Sequence, residues 1–259
     1  MPHLPPRITK DGHDIDSVDS WFDFAPPKGG KKQWRDGRSA KEIAKAWFPV
    51  PGPACVPPEL ESLLRSHPDI VGAYFTHGTP EVKIRLDDFR GETRNADLVL
   101  IATRGAEEVL FTVEAKADEP FDMTVGEKHN CPKKDSNIPK RVEHLCRALF
   151  GATPAERPEL KGLRYQLLNA TAATLIAAQE RGIGKAVFVI HEFVTTDDRK
   201  MQANHNALVD FVRELSRSTI RSFGVGAIVG PLSIPGGPHV PAHIPLYLGK
   251  IRGGLPCPR

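Results

Sequence analysis

The stretch that decides the fold is N-A-D-L-V-L-I-A-T-R-G-A-E-E-V-L-F-T-V-E-A-K-A-D-E-P-F, residues 95–121. Two apolar runs flank the short polar segment T-R-G-A-E, which is the pattern of a β-hairpin. However, the first run begins on Asp97, and the second ends on Glu114 and Lys116. Charges at the ends of a hairpin with core composition need a physical explanation.

Strand geometry brings these charged side chains together. Because side chains alternate across a strand, Glu114 and Lys116 point to one face while Ala115 points to the other. With residues 104–107 as the turn, antiparallel pairing places Asp97 near the charged end of the partner strand. Two carboxylates and one ammonium group therefore converge where the strands leave the core.

Such a cluster has a specific chemistry. Two carboxylates at short range repel each other, and a cation is needed to keep both ionised. A hard divalent ion such as Mg²⁺ suits oxygen ligands and keeps some of its waters. A neighbouring lysine can orient or help deprotonate such a water, or stabilise charge that develops on a phosphate. The cluster predicts metal-assisted phosphodiester hydrolysis, and a surface hairpin with a simple Glu–Lys pair is the structural alternative.

The composition is that of an ordinary globular protein. Of 259 residues, 40% are hydrophobic and 26% charged, and the net charge of +3 is too small to indicate a nucleic-acid partner by itself. The N-terminus lacks the apolar core of a signal peptide, and no apolar run approaches the roughly 20 residues that span a bilayer. Four irregularly spaced cysteines favour a reducing compartment, so a cytoplasmic protein is expected. No Gly-rich phosphate loop, G-x-S-x-G or Rossmann fingerprint occurs, which argues against an NTPase, a serine hydrolase or a dehydrogenase.

Periodicity and breakers predict one α/β fold, a mixed central β-sheet flanked by helices. Ser39 and Glu42 are interpreted as a capping box that starts the first helix. The chain is divided into an N-terminal arm with one helix that packs on the core (1–56), the core (57–230), and a C-terminal strand and tail that complete the same domain (231–259). The predicted elements, in chain order, are an extended arm at 1–38, helices at 39–47 and 58–66, strands at 71–76 and 81–86, the hairpin, a loop at 122–140, helices at 141–150 and 160–181, a buried strand at 185–190, an amphipathic helix around 208–215 and two short C-terminal strands.

The charged hairpin resembles the signature of a known family. Asp97, followed after sixteen residues by Glu114-Ala115-Lys116, is similar to the D…E-x-K motif of the PD-(D/E)XK nucleases, the restriction-endonuclease-like superfamily, and to a bacterial branch of it. The order of elements over roughly residues 57–191 is similar to that family's core of helix, three antiparallel strands, helix and strand. The proline of the family name is absent, since Asn95-Ala96 precedes Asp97.

The resemblance implies roles for the hairpin residues. Asp97 and Glu114 would be metal ligands, the backbone carbonyl of Ala115 a third ligand, and Lys116 the catalytic lysine. Mg²⁺ or Mn²⁺ is the implied cofactor. Family members often carry a glutamine on the next helix, and Gln166 in R-Y-Q-L-L stands there.

Many members of the family add a glutamate from the first helix. Glu59 and Glu61 both flank the apolar face of the predicted helix, so helical geometry does not choose between them. Glu61 is preferred as the additional metal ligand, although it is also the i,i+4 partner of Arg65.

Candidate nucleic-acid-binding residues lie outside the hairpin. The segment K-G-G-K-K-Q-W-R-D-G-R, residues 28–38, combines basic side chains with an aromatic ring, which suits phosphate contact and base stacking. A solvated loop pinned to the domain by Trp34 is the structural alternative. For Arg164, contact with a phosphate or with Glu114 competes with a plain helix-surface position. The candidates are Lys31, Lys32, Trp34, Arg35 and Arg164.

A zinc site is the weaker metal hypothesis. His129-x-Cys131 and His144-x-Cys146 supply suitable ligand types. Residues two apart on a helix point about 200° away from each other, however, so Cys146 is interpreted as a small core residue.

The sequence therefore predicts a Mg²⁺-dependent endonuclease that acts on DNA or RNA. The alternative is a protein that keeps the nuclease fold but only binds nucleic acid or serves as a scaffold. Many nucleases of this superfamily pair to cut both strands, so the resemblance also leaves a homodimer open.

Overall fold

An eight-stranded mixed sheet lies between two layers of helices in the computed structural model, which describes residues 4–91, 93–130, 136–194 and 197–253. The predicted class, an α/β fold with a mixed central sheet flanked by helices, is confirmed at this level. The strands are β1 (Arg7–Lys10), β2 (His13–Asp14), β3 (Tyr74–Ile84), β4 (Arg94–Arg104), β5 (Glu107–Lys116), β6 (Ala186–Phe193), β7 (Ala227–Leu232) and β8 (Leu246–Gly253). The helices are α1 (Val18–Phe24), α2 (Ser39–Trp47), α3 (Pro58–Leu64), α4 (Val125–His129), α5 (Ile138–Phe150), α6 (Tyr165–Glu180) and α7 (Asp198–Leu215), with single 3₁₀ turns at Gly30–Lys32 and Pro158–Gly162.

The quoted hairpin forms the centre of the sheet. The strand order is β2-β1-β3-β4-β5-β6-β8-β7. β3, β4 and β5 are antiparallel neighbours, while β6 is parallel to both β5 and β8. β6 and β8 therefore end where β5 ends, and β4 begins at the same place. We name this end of the sheet the Glu114 end.

Each face of the sheet carries its own apolar core. α1, α2 and α3 cover one face with Trp21, Trp47 and Leu60. α5, α6 and α7 cover the other with residues such as Leu145 and Phe211. Every residue of β6 is buried, which explains its almost continuous apolar sequence A-V-F-V-I-H-E-F.

Several predicted boundaries are wrong for local reasons. The strands expected at 71–76 and 81–86 form one long strand, β3, which a register shift between Phe75 and His77 and a positive φ of 50° at Glu81 bend without ending it. The helix expected at 160–181 begins only at Tyr165. It stops as predicted before Gly182, whose φ of 67° suits a glycine.

The N-terminal arm is more structured than predicted. It contains two helices, α1 and α2, instead of one, and its β1–β2 hairpin extends the sheet because β1 pairs with β3. The predicted loop at 122–140 contains α4 and the start of α5, while residues 131–135 lie outside the described residues. The three predicted segments of the chain all contribute strands to one sheet.

The predicted capping box of α2 is also wrong. The residue at the helix N-cap is Arg38, and it makes no side-chain capping bond. The Glu42 carboxylate is fully buried, accepts the N–H of Gly37 at 2.7 Å and pairs with Lys45 at 3.0 Å. The Ser39 hydroxyl donates to Glu119, which is distant in the chain, so Ser39 serves a tertiary contact and Glu42 a local one instead of the capping box. No helix among the described residues has the length and apolar character needed to cross a membrane.

Candidate active site

The structure brings Asp97 and Glu114 together at the Glu114 end of the sheet. β4 and β5 pair with Leu98 opposite Val113, so the next residues, Asp97 and Glu114, face each other across the two strands. The Oδ2 atom of Asp97 accepts the backbone N–H of Ala115 at 2.7 Å. This hydrogen bond holds the Asp97 carboxylate against the strand that carries Glu114.

The Glu114 carboxylate is buried and fully engaged by donors. Its side chain is 4% exposed. Oε1 accepts from Lys116 Nζ at 3.0 Å and from Gln166 Nε2 at 2.5 Å, and Oε2 accepts from the Arg94 guanidinium. Gln166 thus reaches the cluster from the first turn of α6, as the sequence predicts.

The close approach of α6 depends on small side chains. Ala170 and Ala173 line a shallow depression together with Arg94, Thr112 and Glu114. Deeper along the same helix face, the hydroxyls of Thr112 and Thr174 hydrogen-bond at 2.5 Å. This packing sets the position of the first turn of α6 and hence of the Gln166 amide.

Lys116 is held in place from two sides. Its side chain is only 6% exposed and contacts Glu114 at one side. At the other side its ammonium group lies 5.5 Å from the centroid of the Phe121 ring, a cation–π arrangement. The lysine therefore has a defined position next to both carboxylates.

Two residues of the cluster were missed by the sequence analysis. Arg94 begins β4 and pairs with Glu114, although it lies three residues before Asp97 and belongs to no motif. Glu81 sits at the distorted point of β3, where Asn95 Nδ2 donates to its carboxylate. Arg94 stands at the start of β4 and Glu81 inside β3 near its end, and only the pairing of β3 with β4 reveals that both join the cluster.

The electrostatics of the cluster are unbalanced. Burial and the negative charges of Glu114 and Glu81 raise the pKa of Asp97 well above its ordinary value. Burial also raises the pKa of Glu81, to about 7. At Glu114 burial acts in the same direction, but Arg94 and Lys116 outweigh it and hold the pKa of this carboxyl below its ordinary value.

The donor set suits a hard divalent cation, which would relieve the repulsion at Asp97. Asp97 and Glu114 offer oxygen ligands on adjacent strands, the type that Mg²⁺ and Mn²⁺ prefer. Within the part of the chain that the structure describes, however, no three His, Cys, Asp or Glu side chains are already arranged as a metal site. An ion at Glu114 Oε2 would have to displace the Arg94 guanidinium.

The two acids of the first helix are placed differently. Glu61 is exposed, on a helix that covers the opposite face of the sheet from α6, so the structure does not bring it to the cluster. Glu59 turns toward the sheet and bonds His191 Nε2 at 2.8 Å. His191 pairs with Ala115 in the strand register. Glu59 is therefore the nearer of the two acids, contrary to the preference for Glu61.

Comparison with known protein families places the chain. The sequence model of a family described as a domain of unknown function (DUF6946) matches residues 14–255. The chain belongs to the DUF6946 family. Nothing matches it among curated proteins or among solved structures. The DUF6946 match contains all of the cluster residues, from Glu81 to Gln166.

The basic segment 28–38 of this DUF6946 chain lies near the Glu114 end. Lys31, Lys32 and Arg35 are exposed. Trp34 is half-buried, 5.1 Å from the ring of Phe22, which agrees with the pinning role. The segment ends where Arg38 pairs at 3.0 Å with Asp118, two residues after Lys116.

Arg164 stands apart from Glu114. It occupies the N-cap of α6, and its guanidinium donates to the carbonyl of Asp122 at 3.5 Å. Arg164 is half-buried at the edge of the Glu114 end of the sheet. It does not contact Glu114, so phosphate contact is the functional role that stays open for it.

The other motif interpretations meet different outcomes. Cys146 is buried, and burial raises the pKa of its thiol to about 12, as expected for a core residue. Cys131 lies outside the described residues, while His129 bonds Glu143 at 2.9 Å. The pair His191-Glu192 directly follows the strand predicted at 185–190, a position that by itself indicates a solvated strand end. It is fully buried instead, because β6 continues to Phe193 between two neighbouring strands.

Proposed function

We propose that this DUF6946 protein is a metal-dependent nuclease that hydrolyses phosphodiester bonds of DNA or RNA. The observation that carries the proposal is the convergence of Asp97, Glu114, Lys116 and Gln166 at one end of the sheet. The element order α3, β3–β5, α6, β6 agrees with the core of the PD-(D/E)XK superfamily, which the hairpin resembles. The proposal includes a cytoplasmic location, because the cysteines show no pairing pattern and Cys55 and Cys146 are free.

Each residue of the cluster has a role in this proposal. Asp97, Glu114 and the carbonyl of Ala115 would hold Mg²⁺ or Mn²⁺. The ion, when bound, supplies a water of lowered pKa and neutralises charge on the phosphate. Lys116 would orient the attacking water or stabilise the charge that develops on the phosphate. Gln166, through its 2.5 Å hydrogen bond, orients the Glu114 carboxylate.

The nucleic acid would approach along the Glu114 end of the sheet. The exposed side chains Lys31, Lys32 and Arg35 lie on the segment that ends beside Asp118, and they carry the charge expected of phosphate contacts. Cutting both strands of a duplex would require two such sites, which a homodimer would provide.

Cleavage of labelled DNA and RNA in the presence of Mg²⁺ or Mn²⁺ tests the proposal. We expect turnover by the wild type and its loss in Asp97→Ala and Lys116→Ala. Glu61→Ala is the matched control, because its carboxylate is exposed on the other side of the sheet. Equal activity in the wild type and in the first two variants would disprove the assigned site.

A second candidate function is nucleic-acid binding without catalysis, or a scaffold role. It is favoured by one observation, the Arg94 guanidinium that already neutralises Glu114 Oε2. Under this alternative, nucleic acid binds with a steep salt dependence and no polymer is cut at any metal concentration. Under this alternative, the Arg94→Ala variant also cuts no polymer. Under the nuclease proposal, the same variant can bind the metal ion more tightly, because the guanidinium no longer occupies Glu114 Oε2.

A further inference from the structure

A basic cleft lies next to the Asp97–Glu114 cluster and has no part in the roles assigned so far. It has a volume of about 270 Å³ and is formed by the connection between β3 and β4 together with α5. Among the described residues, its charged lining consists of Arg85, Arg90, Arg141 and Asp87. Among these lining residues, three guanidinium groups share a concave site with one carboxylate, while the neighbouring Asp88 is turned to solvent and pairs with His239 at 3.3 Å.

Buried hydrogen bonds organise this cleft. Asp87 and Arg141 are both buried, and Arg141 bonds the Asp87 carboxylate through Nε at 2.5 Å and Nη2 at 3.0 Å. The other side of the Asp87 residue fixes the loop, because its Oδ1 accepts the N–H of Phe89 at 2.9 Å and its carbonyl accepts Arg85 Nε at 2.8 Å. The Asp87 carboxylate is therefore paired within the protein, and Arg85 and Arg90 are the exposed arginines of the described lining.

Gly91 packs beside the largely buried Arg141 guanidinium. A Cβ at this position would stand 3.6 Å from both terminal nitrogens of Arg141, an ordinary van der Waals contact that would narrow the remaining access to the group. The φ of 138° at Gly91 is also one that side-chain-bearing residues rarely adopt. Glycine thus suits the path of the loop and leaves open the part of the guanidinium that faces the cleft.

The cleft and the cluster share two walls. Thr93, which lines the cleft, directly precedes Arg94, which bonds Glu114. Tyr165, which interacts with Arg141, directly precedes Gln166, another partner of Glu114. A ligand that spans both sites would therefore need to extend only a short distance.

We propose that this cleft binds a backbone phosphate of the nucleic-acid strand that is cut at the Asp97–Glu114 cluster. This inference rests on the proposed function. Guanidinium groups match phosphate geometry with two parallel hydrogen bonds. The volume lies just below the range of about 300–1,000 Å³ typical of sites for drug-sized ligands, so it suits a phosphate with its sugar better than a whole cofactor.

Binding measured without metal tests the cleft separately from catalysis. The probes are fluorescently labelled single-stranded and duplex DNA and RNA, followed by anisotropy in EDTA over about 50–300 mM salt. The variant is Arg85→Ala with Arg90→Ala, since both side chains are exposed, and circular dichroism checks that loss of the Arg85 hydrogen bond to the Asp87 carbonyl leaves the protein folded. The control is Arg65→Ala with Arg217→Ala, which removes the same charge from exposed positions at the opposite end of the sheet, where α3 and α7 end.

We expect the cleft variant to bind the preferred probe about tenfold more weakly than the control variant, and the slope of log K against log salt to become shallower by about 1–2. Identical affinity and slope in the two variants would overturn the inference, as would a wild type that binds none of the four probes. Cleavage assays separate the two proposals. If binding depends on the two arginines but no polymer is cut in Mg²⁺ or Mn²⁺, the nuclease proposal is refuted and the phosphate-binding cleft is retained. If the wild type cuts the polymer but the cleft variant binds it as well as the control variant does, the cleft is refuted and the nuclease proposal is retained.

Discussion

Two buried charge clusters lie on the same face of the sheet, and they differ in balance. At β6 and β8, the Glu192 carboxylate bonds Lys250 at 3.2 Å and Arg252 at 2.7 Å, so two cations serve one carboxylate. One strand away, the cluster around Asp97 and Glu114 contains three carboxyl groups and two cations. Its members are Glu81, Asp97, Glu114, Arg94 and Lys116.

The difference indicates which cluster is structural and which needs a ligand. Glu192 and Lys250 are each 1% exposed and satisfy each other, although burial lowers the pKa of Lys250. At Asp97, by contrast, burial and two neighbouring carboxyl groups make ionisation unfavourable, which raises its pKa. A bound cation would offset the repulsion among the carboxyl groups around Asp97, whereas the Glu192 carboxylate is already neutralised by Lys250 and Arg252.

The largest expected effect separates the two buried lysines. Under the nuclease proposal, Lys116→Met lowers the cleavage rate by about 10²–10⁴-fold, because charge on the water and the phosphate is no longer stabilised. Lys250→Met keeps cleavage within a few-fold, since Glu192 retains Arg252. Single-turnover rates of both variants on the preferred substrate measure this contrast.

Circular dichroism shows whether each lysine variant is folded at the assay temperature. Similar losses of rate in the two folded variants would contradict the distinction between a catalytic and a structural lysine.

Removing one carboxylate from each cluster should change stability in unequal amounts. Glu192→Ala leaves Lys250 without its hydrogen-bonded carboxylate, and we expect a loss of about 3–5 kcal/mol in the free energy of unfolding. Asp97→Asn in EDTA removes a repelled charge while its amide oxygen can still accept the Ala115 N–H, so we expect stability to be unchanged or higher.

Urea unfolding of both variants near neutral pH provides the comparison. A large destabilisation of Asp97→Asn without metal would show that the carboxylate has a structural role like that of Glu192.

The sequence was sufficient for the part of the site that lies within one hairpin. Alternation along a strand and a short turn determine that Asp97, Glu114 and Lys116 meet. Gln166 was predicted only through the family resemblance, and the structure places its amide on Glu114. Glu81 and Arg94 could not be predicted in either way. Their position depends on the bend in β3 and on the strand register, which tertiary packing sets.

The same limit explains the errors elsewhere. Ser39 looked like a capping residue because the local pattern does not show that Glu119, far along the chain, accepts its hydroxyl hydrogen bond. His191-Glu192 looked solvated because the sequence does not show that β8 covers the far side of β6. Burial by a strand distant in the chain has no local signal.

The pH dependence of stability offers a smaller effect. The pKa of Glu81 is about 7 in the folded protein, above its ordinary value of 4.5, so the folded state binds this proton more tightly than the unfolded state. Protonated Glu81 therefore stabilises the folded state fully below about pH 4.5, and this contribution to the free energy of unfolding is lost as the pH rises to about 7. Because glutamine does not titrate, the free energy of unfolding of Glu81→Gln should fall by about 1–3 kcal/mol less than that of the wild type over this pH range.

Thermal unfolding of the wild type and Glu81→Gln across this pH window, in EDTA, measures the difference. Parallel curves for the two proteins would mean that Glu81 does not carry a raised pKa in the folded state.

The most direct test of the central claim is Mn²⁺ binding followed by isothermal titration calorimetry at about pH 8, where carboxyl groups compete least with protons. The unbalanced cluster predicts a binding site in the wild type that disappears in Asp97→Asn and persists in Glu192→Gln. No Mn²⁺ binding by the wild type, or equal binding by the wild type and Asp97→Asn, would contradict a metal centre at Asp97 and Glu114.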